Sequence, residues 1–345
     1  MKSFNNIFKL ITLGNLFLCW DKFKKGGKLK KKDVQLFELN LEDNIVQLYE
    51  DIRDKKYKHL PYEKFYIYDP KFRIINKASV RDRILHHLIF RILYAAYNPI
   101  FIFHSYSSRI GKSTHKGIED LYKALGEVSK NHSQKCYILK CDIRKFYASI
   151  DHQVLLDILG KRIKDEDFLW LLKEVIGSFT SELSPNIMDC FKGVPIGNLT
   201  SQILANVYLN EFDQFVKHKL KVKHYLRYAD DFVIIHKDEE YLNDLVEPIK
   251  EFLGKKLKLE LHAGKASIKK YRRGVDFLGY ILFSHHSLIR TKTKQRMLKN
   301  IRDKIQCFNN GRIEKESLNQ TIQSYLGILP HCDSHKLKQD LLNKV

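Results

Sequence analysis

His224-Tyr225-Leu226-Arg227-Tyr228-Ala229-Asp230-Asp231-Phe232-Val233-Ile234-Ile235-His236 consists of two short runs of aromatic and β-branched residues that meet at Ala229-Asp230-Asp231. Such runs around a short polar break predict the two strands of a hairpin with a tight turn. One Asp in a turn means little, because its side chain commonly caps nearby amides. Two adjacent carboxylates on a hairpin with apolar flanks repel each other and resist desolvation unless a cation shares them. Asp230 and Asp231 therefore read as metal-directed carboxylates. An ordinary polar turn is the competing reading, and the rest of the chain decides between the two.

A second acidic position lies upstream, in Tyr137-Ile138-Leu139-Lys140-Cys141-Asp142-Ile143-Arg144-Lys145-Phe146-Tyr147. An apolar strand ends at Asp142, and an aromatic follows five positions later. Asp151 has a local duty as the N-cap of a helix starting His152-Gln153-Val154, whereas Asp142 has none. Two divalent cations about 4 Å apart need carboxylates from separate segments, and Asp142 and Asp230 meet that need. Between the two sites runs Gly193-Val194-Pro195-Ile196-Gly197-Asn198-Leu199-Thr200-Ser201-Gln202. Its Gly and Pro set a loop whose backbone can approach a ligand closely. Asn198 or Thr200 is expected to cap the helix through Leu204, Val207, Tyr208 and Phe215. The loop is either a plain connection or the wall of a pocket.

The charge balance narrows the class of partner. Sixty-one Lys and Arg against 40 Asp and Glu leave +21 over 345 residues, and the hydrophobic fraction of 44% is that of an ordinary folded protein. An excess of this size points to a polyanion, nucleic acid before anionic membrane. The apolar run from Ile7 to Trp20 contains Lys9 and is too short to span a bilayer. Charged Asp21-Lys22-Phe23-Lys24-Lys25 follows it where a signal peptide would have a small-residue cleavage site, so a buried amphipathic helix is expected and no membrane association. Cys19, Cys136, Cys141, Cys190, Cys307 and Cys332 form no C-x-x-C pair, which argues against a zinc ribbon or disulfide framework and suits a reducing cytoplasm. His331-Cys332-Asp333-Ser334-His335 has metal-ligand chemistry but no second cluster to complete a tetrahedron.

Along the remainder, residues up to about Leu60 show helical spacing, interrupted by lysine-rich Lys22 to Lys32, a solvated loop or a flexible contact to RNA phosphates. Phe65-Tyr66-Ile67-Tyr68, an Asp69-Pro70 turn and Phe72-Arg73-Ile74-Ile75 predict a strand pair, and Val80 to Tyr97 a helix ended by Asn98-Pro99. Ser105 to His115 has the flavour of a phosphate loop, but no Gly stands five residues before Gly111, so an ATPase is excluded. Arg73, Arg81, Arg109 and Lys112 are surface charges or, for some of them, contacts to a template or triphosphate. A helix over Glu239 to Leu253, a strand pair over Val275 to Phe283, and a basic helical segment from Leu288 onward complete the reading.

In their order, these segments resemble a reverse transcriptase: the strand ending in Asp142, the Gly-x-Pro-x-Gly loop, Tyr228-Ala229-Asp230-Asp231, the loop with Lys265, and Phe277-Leu278-Gly279-Tyr280. The resemblance covers roughly Tyr62 to Phe283. It implies an α+β right-hand polymerase, with an N-terminal helical extension over 1–60, fingers over 61–136, palm with interleaved fingers segments over 137–286, and a short helical thumb over 287–345. It implies that Asp142 and Asp230 hold two Mg2+ ions (Mn2+ able to substitute), with Asp231 beside them and the Ile143 carbonyl completing one sphere. Tyr147 falls where the family has an aromatic that fills the space of a 2′-hydroxyl. Lys265 falls where a lysine is placed to protonate the leaving pyrophosphate. Arg73 falls in the region associated with the triphosphate, with Lys71 and Lys77 competing for that role. Implied partners are template RNA, cDNA and deoxynucleoside triphosphates.

The loop departs from the commoner Q-G-x-x-x-S-P pattern, with Ile196-Gly197-Asn198-Leu199-Thr200-Ser201-Gln202. That variant is similar to the enzymes of diversity-generating retroelements, which make error-prone cDNA at template adenines and work with a small basic accessory protein. A branched aliphatic lacks the hydrogen bonds of Gln, so looser control of the nascent pair is expected. Phage-defence and retron-type reverse transcriptases would share the same core. An RNA-dependent RNA polymerase is opposed by Tyr147, and a silent RNA-binding scaffold by the three intact carboxylates.

Overall fold

The computed structural model describes residues 3–69, 71–180 and 191–342; Pro70 of the expected turn and Cys190 lie outside them. Three helices open the chain, α1 (Leu13–Phe23), α2 (Lys32–Leu39) and α3 (Leu41–Arg53). Leu16, Cys19, Trp20 and Phe23 of α1 are buried, as an amphipathic helix requires. A two-stranded ribbon follows, β1 (Glu63–Ile67) and β2 (Arg73–Lys77), with bounds one or two residues from those expected. Then come α4 (Val80–Tyr97) and α5 (Thr114–Val128), β3 (Tyr137–Asp142), a single turn α6 (Phe146–Ser149), α7 (His152–Arg162), α8 (Glu166–Gly177) and α9 (Leu199–Gln214). The hairpin is β4 (Tyr225–Tyr228) and β5 (Asp231–His236).

The helix expected over Glu239 to Leu253 is two, α10 (Glu239–Asp244) and α11 (Val246–Leu257). Pro248 lies in the first turn of α11, where a missing N–H costs nothing, and Leu245 alone separates the two helices. After β6 (Ser267–Lys270) comes a small sheet of β7 (Val275–Phe277), β8 (Tyr280–Leu282) and a third strand, β9 (Ser287–Ile289). The basic helix therefore starts after it, as α12 (Thr291–Asn309), with α13 (Lys315–Leu326) and α14 (His335–Leu342) beyond.

The central sheet has strand order β4-β5-β3-β6, all antiparallel. Alternation along β3 sends Tyr137, Leu139 and Cys141 into one core with α1, α4, α7, α8 and α9, and Ile138 into a second core shared with α5, the small sheet and α12. The α4 helix is buried on several sides (Ile84, Leu85, Leu88, Ile89, Ile92, Leu93) and forms the centre of the first core. Asp69 at the ribbon tip lies 3.9 Å from Arg296 of α12, so the ribbon and the C-terminal helices meet. Among the described residues no helix is long and apolar enough to cross a membrane.

Candidate active site

In the β3–β5 pair Asp142 is the direct cross-strand partner of Asp231. Tyr228 pairs with Asp231 on the other side, which leaves Ala229-Asp230 as a two-residue loop. Ala229 takes the left-handed conformation the loop demands, φ +52°. The N–H of Ile143 donates to the Asp230 carbonyl (3.2 Å), tying the residue after Asp142 to the turn. Three carboxylates distant in sequence are thus brought to one end of the sheet.

Their surroundings make the cluster costly. Asp231 Oδ1 is buried without a hydrogen-bond partner. Burial pushes the Asp231 carboxyl up to about 6, with Lys140 opposing the shift and the charges of Asp142 and Asp230 adding to it. Asp230 is raised as well, by burial and then by Asp142, against the fields of Lys71 and Lys265. Two lysines answer this charge. Lys265 donates to Asp142 Oδ2 at 2.7 Å, and Lys140 lies 3.6 Å from Asp231 Oδ2 while donating to the Asp276 carbonyl at 2.7 Å.

Among the described residues no three His, Cys, Asp or Glu side chains converge as a ready-made metal cage. Mg2+ seldom uses one; it keeps several waters and takes one or two carboxylates together with substrate phosphates. An all-oxygen donor set with a buried, unpartnered carboxylate oxygen fits that cation.

The Gly-x-Pro-x-Gly loop is zipped beneath Tyr147: the Val194 N–H donates to the Tyr147 carbonyl (2.8 Å) and the Gly193 N–H to the Ile150 carbonyl (2.7 Å). Asn198 occupies the N-cap position of α9, but its side chain does not cap the helix as expected. It donates instead to the carbonyl of Asn76 on β2 at 2.7 Å, docking the ribbon on the loop. Gly197 has φ +108° and a Cβ there would stand 2.7 Å from Ile75, so close packing of ribbon on loop requires glycine. Ile196 is 37% exposed beside it. Tyr147 is half-buried and its phenol is pushed up to about 12 by burial and then by Asp230, which keeps it neutral.

Of the expected basic contacts, Arg73 is exposed at the start of β2 and its charge acts on Tyr147. Lys71 acts on Asp230, whereas Lys77 is taken up by Glu63 (2.9 Å) and Asp33 (3.0 Å). Arg109 is not a surface charge; its guanidinium donates to the carbonyls of Ile102 and Ser105 and to Asn98 Oδ1 and holds a loop together. Arg81 pairs with Asp51 at 2.6 Å, and the Lys112 ammonium sits over the Phe103 ring. Gln202 is exposed on the first turn of α9.

Two residues that the sequence reading passed over belong to the site. Lys140 stands two positions before Asp142, so strand alternation puts it on the same face. Arg227 is wholly buried behind the turn, and a charged residue inside an apolar strand was its signal. A cavity of about 610 Å³ lined by Lys58, Asp151, Lys173 and Lys258 holds none of the predicted site residues.

Residues 60–282 match the family described as reverse transcriptase (RNA-dependent DNA polymerase). The chain is 25% identical over 281 residues to Protein YkfC of Escherichia coli, covering 72% of this chain and 71% of that one. It is 23% identical to the group II intron-encoded protein LtrA of Lactococcus lactis subsp. cremoris, covering 88% of this chain and 56% of LtrA. The putative COX1/OXI3 intron 2 protein of Saccharomyces cerevisiae is 25% identical over 79% of this chain, which spans 38% of its length. The apo telomerase structure from Candida tropicalis is 13% identical, covering 66% of this chain and 48% of that chain, with a TM-score of 0.47.

Proposed function

The chain belongs to the reverse transcriptase family, and from that premise we propose that it copies RNA into DNA. The observation that carries the reading is the register that sets Asp142 opposite Asp231 beside the turn bearing Asp230. Asp142, Asp230, Asp231 and the Ile143 carbonyl would hold two Mg2+ ions, with Mn2+ able to substitute. Held there, the ions would supply Lewis-acid stabilisation of the charge that develops during phosphoryl transfer and would make an attacking hydroxyl easier to deprotonate.

The chain's own residues do the rest. Tyr147, held from below by the loop, walls off the space of a ribose 2′-hydroxyl and selects deoxynucleotides. Lys71 and Arg73, on the ribbon side, offset the charge of a triphosphate. Lys265, exposed and next to Asp142, is placed to give a proton to the departing pyrophosphate. The ribbon also exposes Tyr66, Tyr68 and Phe72, with Tyr66 and Phe72 stacked at 5.8 Å. Aromatic faces beside cations suit the unstacked bases of a single-stranded template. The expected 61–136 fingers, 137–286 palm and 287–345 thumb are the frame for this reading.

A primer annealed to an RNA template tests it. Extension with deoxynucleotides and Mg2+, lost in Asp142→Ala and Asp230→Ala, is the expected result; full activity in either variant ends the assignment. Within the family we infer an error-prone enzyme of the diversity-generating type, supported by Ile196 in place of Gln at the exposed loop position. Ile196→Gln is then expected to lower errors at template adenines, and an unchanged error spectrum refutes it. A small basic accessory protein is part of the same inference. The intron-encoded relatives favour a second reading, an intron-type enzyme, which co-purified intron RNA would support.

A further inference from the structure

Strand alternation splits the hairpin's residues between two faces. Leu226 packs in the core on the carboxylate side, while Tyr225 packs against α9 on the opposite side, and Arg227 follows Tyr225. There the Arg227 guanidinium, 0% exposed, finds an acceptor for each of its five N–H groups. Nε and Nη2 grip the two oxygens of Asp213 at 2.7 and 2.6 Å. Nη2 also donates to Ser105 Oγ at 3.1 Å. Nη1 donates to the Ala229 carbonyl at 3.0 Å and, more weakly, to Asn206 Oδ1 at 3.5 Å. Asp213, also 0% exposed, accepts a further bond from the Tyr225 hydroxyl at 2.7 Å.

Burying an ion pair is a poor way to stabilise a core, because apolar residues of the same volume often do as well or better. What an apolar pair cannot do is hold the Ala229 carbonyl. That oxygen belongs to the peptide joining Ala229 to Asp230, and Ala229 sits at φ +52°, a region non-glycine residues avoid. A donor fixed from behind sets that peptide plane, and with it the direction in which Asp230 leaves the turn. The anchor is itself well held, since Asp213 and Asn206 lie on α9, the helix that starts at the Ile196-Gly197 loop. The backbone of Arg227 is fixed too: its N–H donates to the His104 carbonyl, and its carbonyl accepts from the Tyr106 N–H.

We propose that Arg227 is a positioning residue: by clamping the Ala229 carbonyl against Asp213, it aims Asp230 at Asp142 and so sets the affinity of the carboxylate cluster for a divalent cation. This rests on the reading of that cluster as a metal site. Lysine cannot replace it, having neither the planar fork for both Asp213 oxygens nor a second arm for the turn.

The test compares Arg227→Lys with Tyr225→Phe, which removes a bond to the same carboxylate and leaves the turn alone. Mn2+ binding to the nucleic-acid-free protein is read by electron paramagnetic resonance, beside thermal melting and the Mg2+ dependence of primer extension. Arg227→Lys is expected to weaken Mn2+ binding by about tenfold or more and to raise the Mg2+ requirement in parallel. Tyr225→Phe is expected to lower the melting temperature with Mn2+ affinity at the wild-type value. Wild-type Mn2+ affinity in Arg227→Lys overturns the proposal, as do Mn2+ losses in the two variants that scale with their melting shifts. Should Arg227→Lys not fold, Ser105→Ala takes its place, with a smaller weakening expected and none overturning the proposal. A wild-type protein whose Mn2+ binding is indifferent to Asp142→Asn sinks the metal-site reading itself, an outcome distinct from equal binding by wild type and Arg227→Lys.

Discussion

Asp142 and Asp231 face each other directly across an antiparallel strand pair, a placement in which like charges destabilise a sheet. The Asp231 carboxyl, pushed up to about 6 from 3.8, is costly as a carboxylate in the folded chain. Because the folded pKa is raised, that cost is present in full above about 6 and fades as the pH falls toward 4. Asp231→Asn should therefore raise the melting temperature by about 2–4 °C at pH 7.5 in a chelator-containing buffer. The gain should shrink steadily below pH 6. A lower melting temperature for the variant at pH 7.5 would show that the cluster is not strained.

Lys265 touches Asp142 at 2.7 Å and its side chain is half exposed, so its removal should disturb chemistry more than folding. Lys265→Met is expected to lower the single-turnover rate of nucleotide addition by roughly 10²-fold, the lower end of what a general acid supplies. Melting within about 2 °C of wild type is expected, as for a surface substitution. Rapid-quench kinetics at saturating deoxynucleotide checks this; an unchanged rate would reduce Lys265 to a plain counter-ion.

Tyr147 is a neutral, half-buried ring whose backbone is fixed by the loop beneath it. Tyr147→Ala should open the sugar pocket. The preference for deoxynucleotides over ribonucleotides, measured as a ratio of kcat/KM, should fall by about tenfold or more. A preserved ratio would move the sugar gate to another residue.

On the ribbon, Phe72 contacts both Tyr66 and Tyr68 (5.8 and 5.4 Å) and is 55% exposed. Losing a base-stacking ring costs about 1–3 kcal/mol of single-strand affinity. Phe72→Ala should thus weaken binding of an unpaired RNA overhang by about 5- to 150-fold while blunt duplex binds as before. Equal losses on both ligands would point to a general disruption of the ribbon.

The hairpin turn, the strand ending at Asp142, the cap by Asp151 and the helix Val80 to Tyr97 were legible because each is written locally. Period, terminator and capping residue lie within a few positions of one another. Asn198 illustrates the limit: its position at a helix start is local, but the carbonyl it serves, on Asn76, is 122 residues away. Lys77 looked free because a group that absorbs it, Asp33, comes from another segment, whereas Arg109 is absorbed by its own loop, whose carbonyls turn inward only in the fold. The third strand, Ser287–Ile289, is three residues long and exists only through its pairing with β8. The two residues the reading missed at the site, Lys140 and Arg227, could have been suspected from a charge inside an apolar strand; their partners could not.

His86 supplies a test of the fold that is independent of the catalytic end. It lies on α4 at 1% exposure, and neither ring nitrogen has a hydrogen-bond partner among the described residues. The ring stacks on His59 at 5.3 Å, and Arg83 and His87 add their fields. Burial above all, then the charge of His59, holds its pKa well below 6.5. His87 is held down to about 4, by burial and then by Lys28 and Lys22. A histidine whose folded pKa is depressed is neutral in the fold and protonated in the unfolded chain. Stability is then complete above about 6.5 and lost progressively as the pH falls. The melting temperature should decline from pH 7 to pH 5, and His86→Leu, apolar and of similar size, should flatten that decline while His59 and His87 preserve part of it. An unchanged slope in the variant would mean that the buried ring takes up its proton without opening the first core.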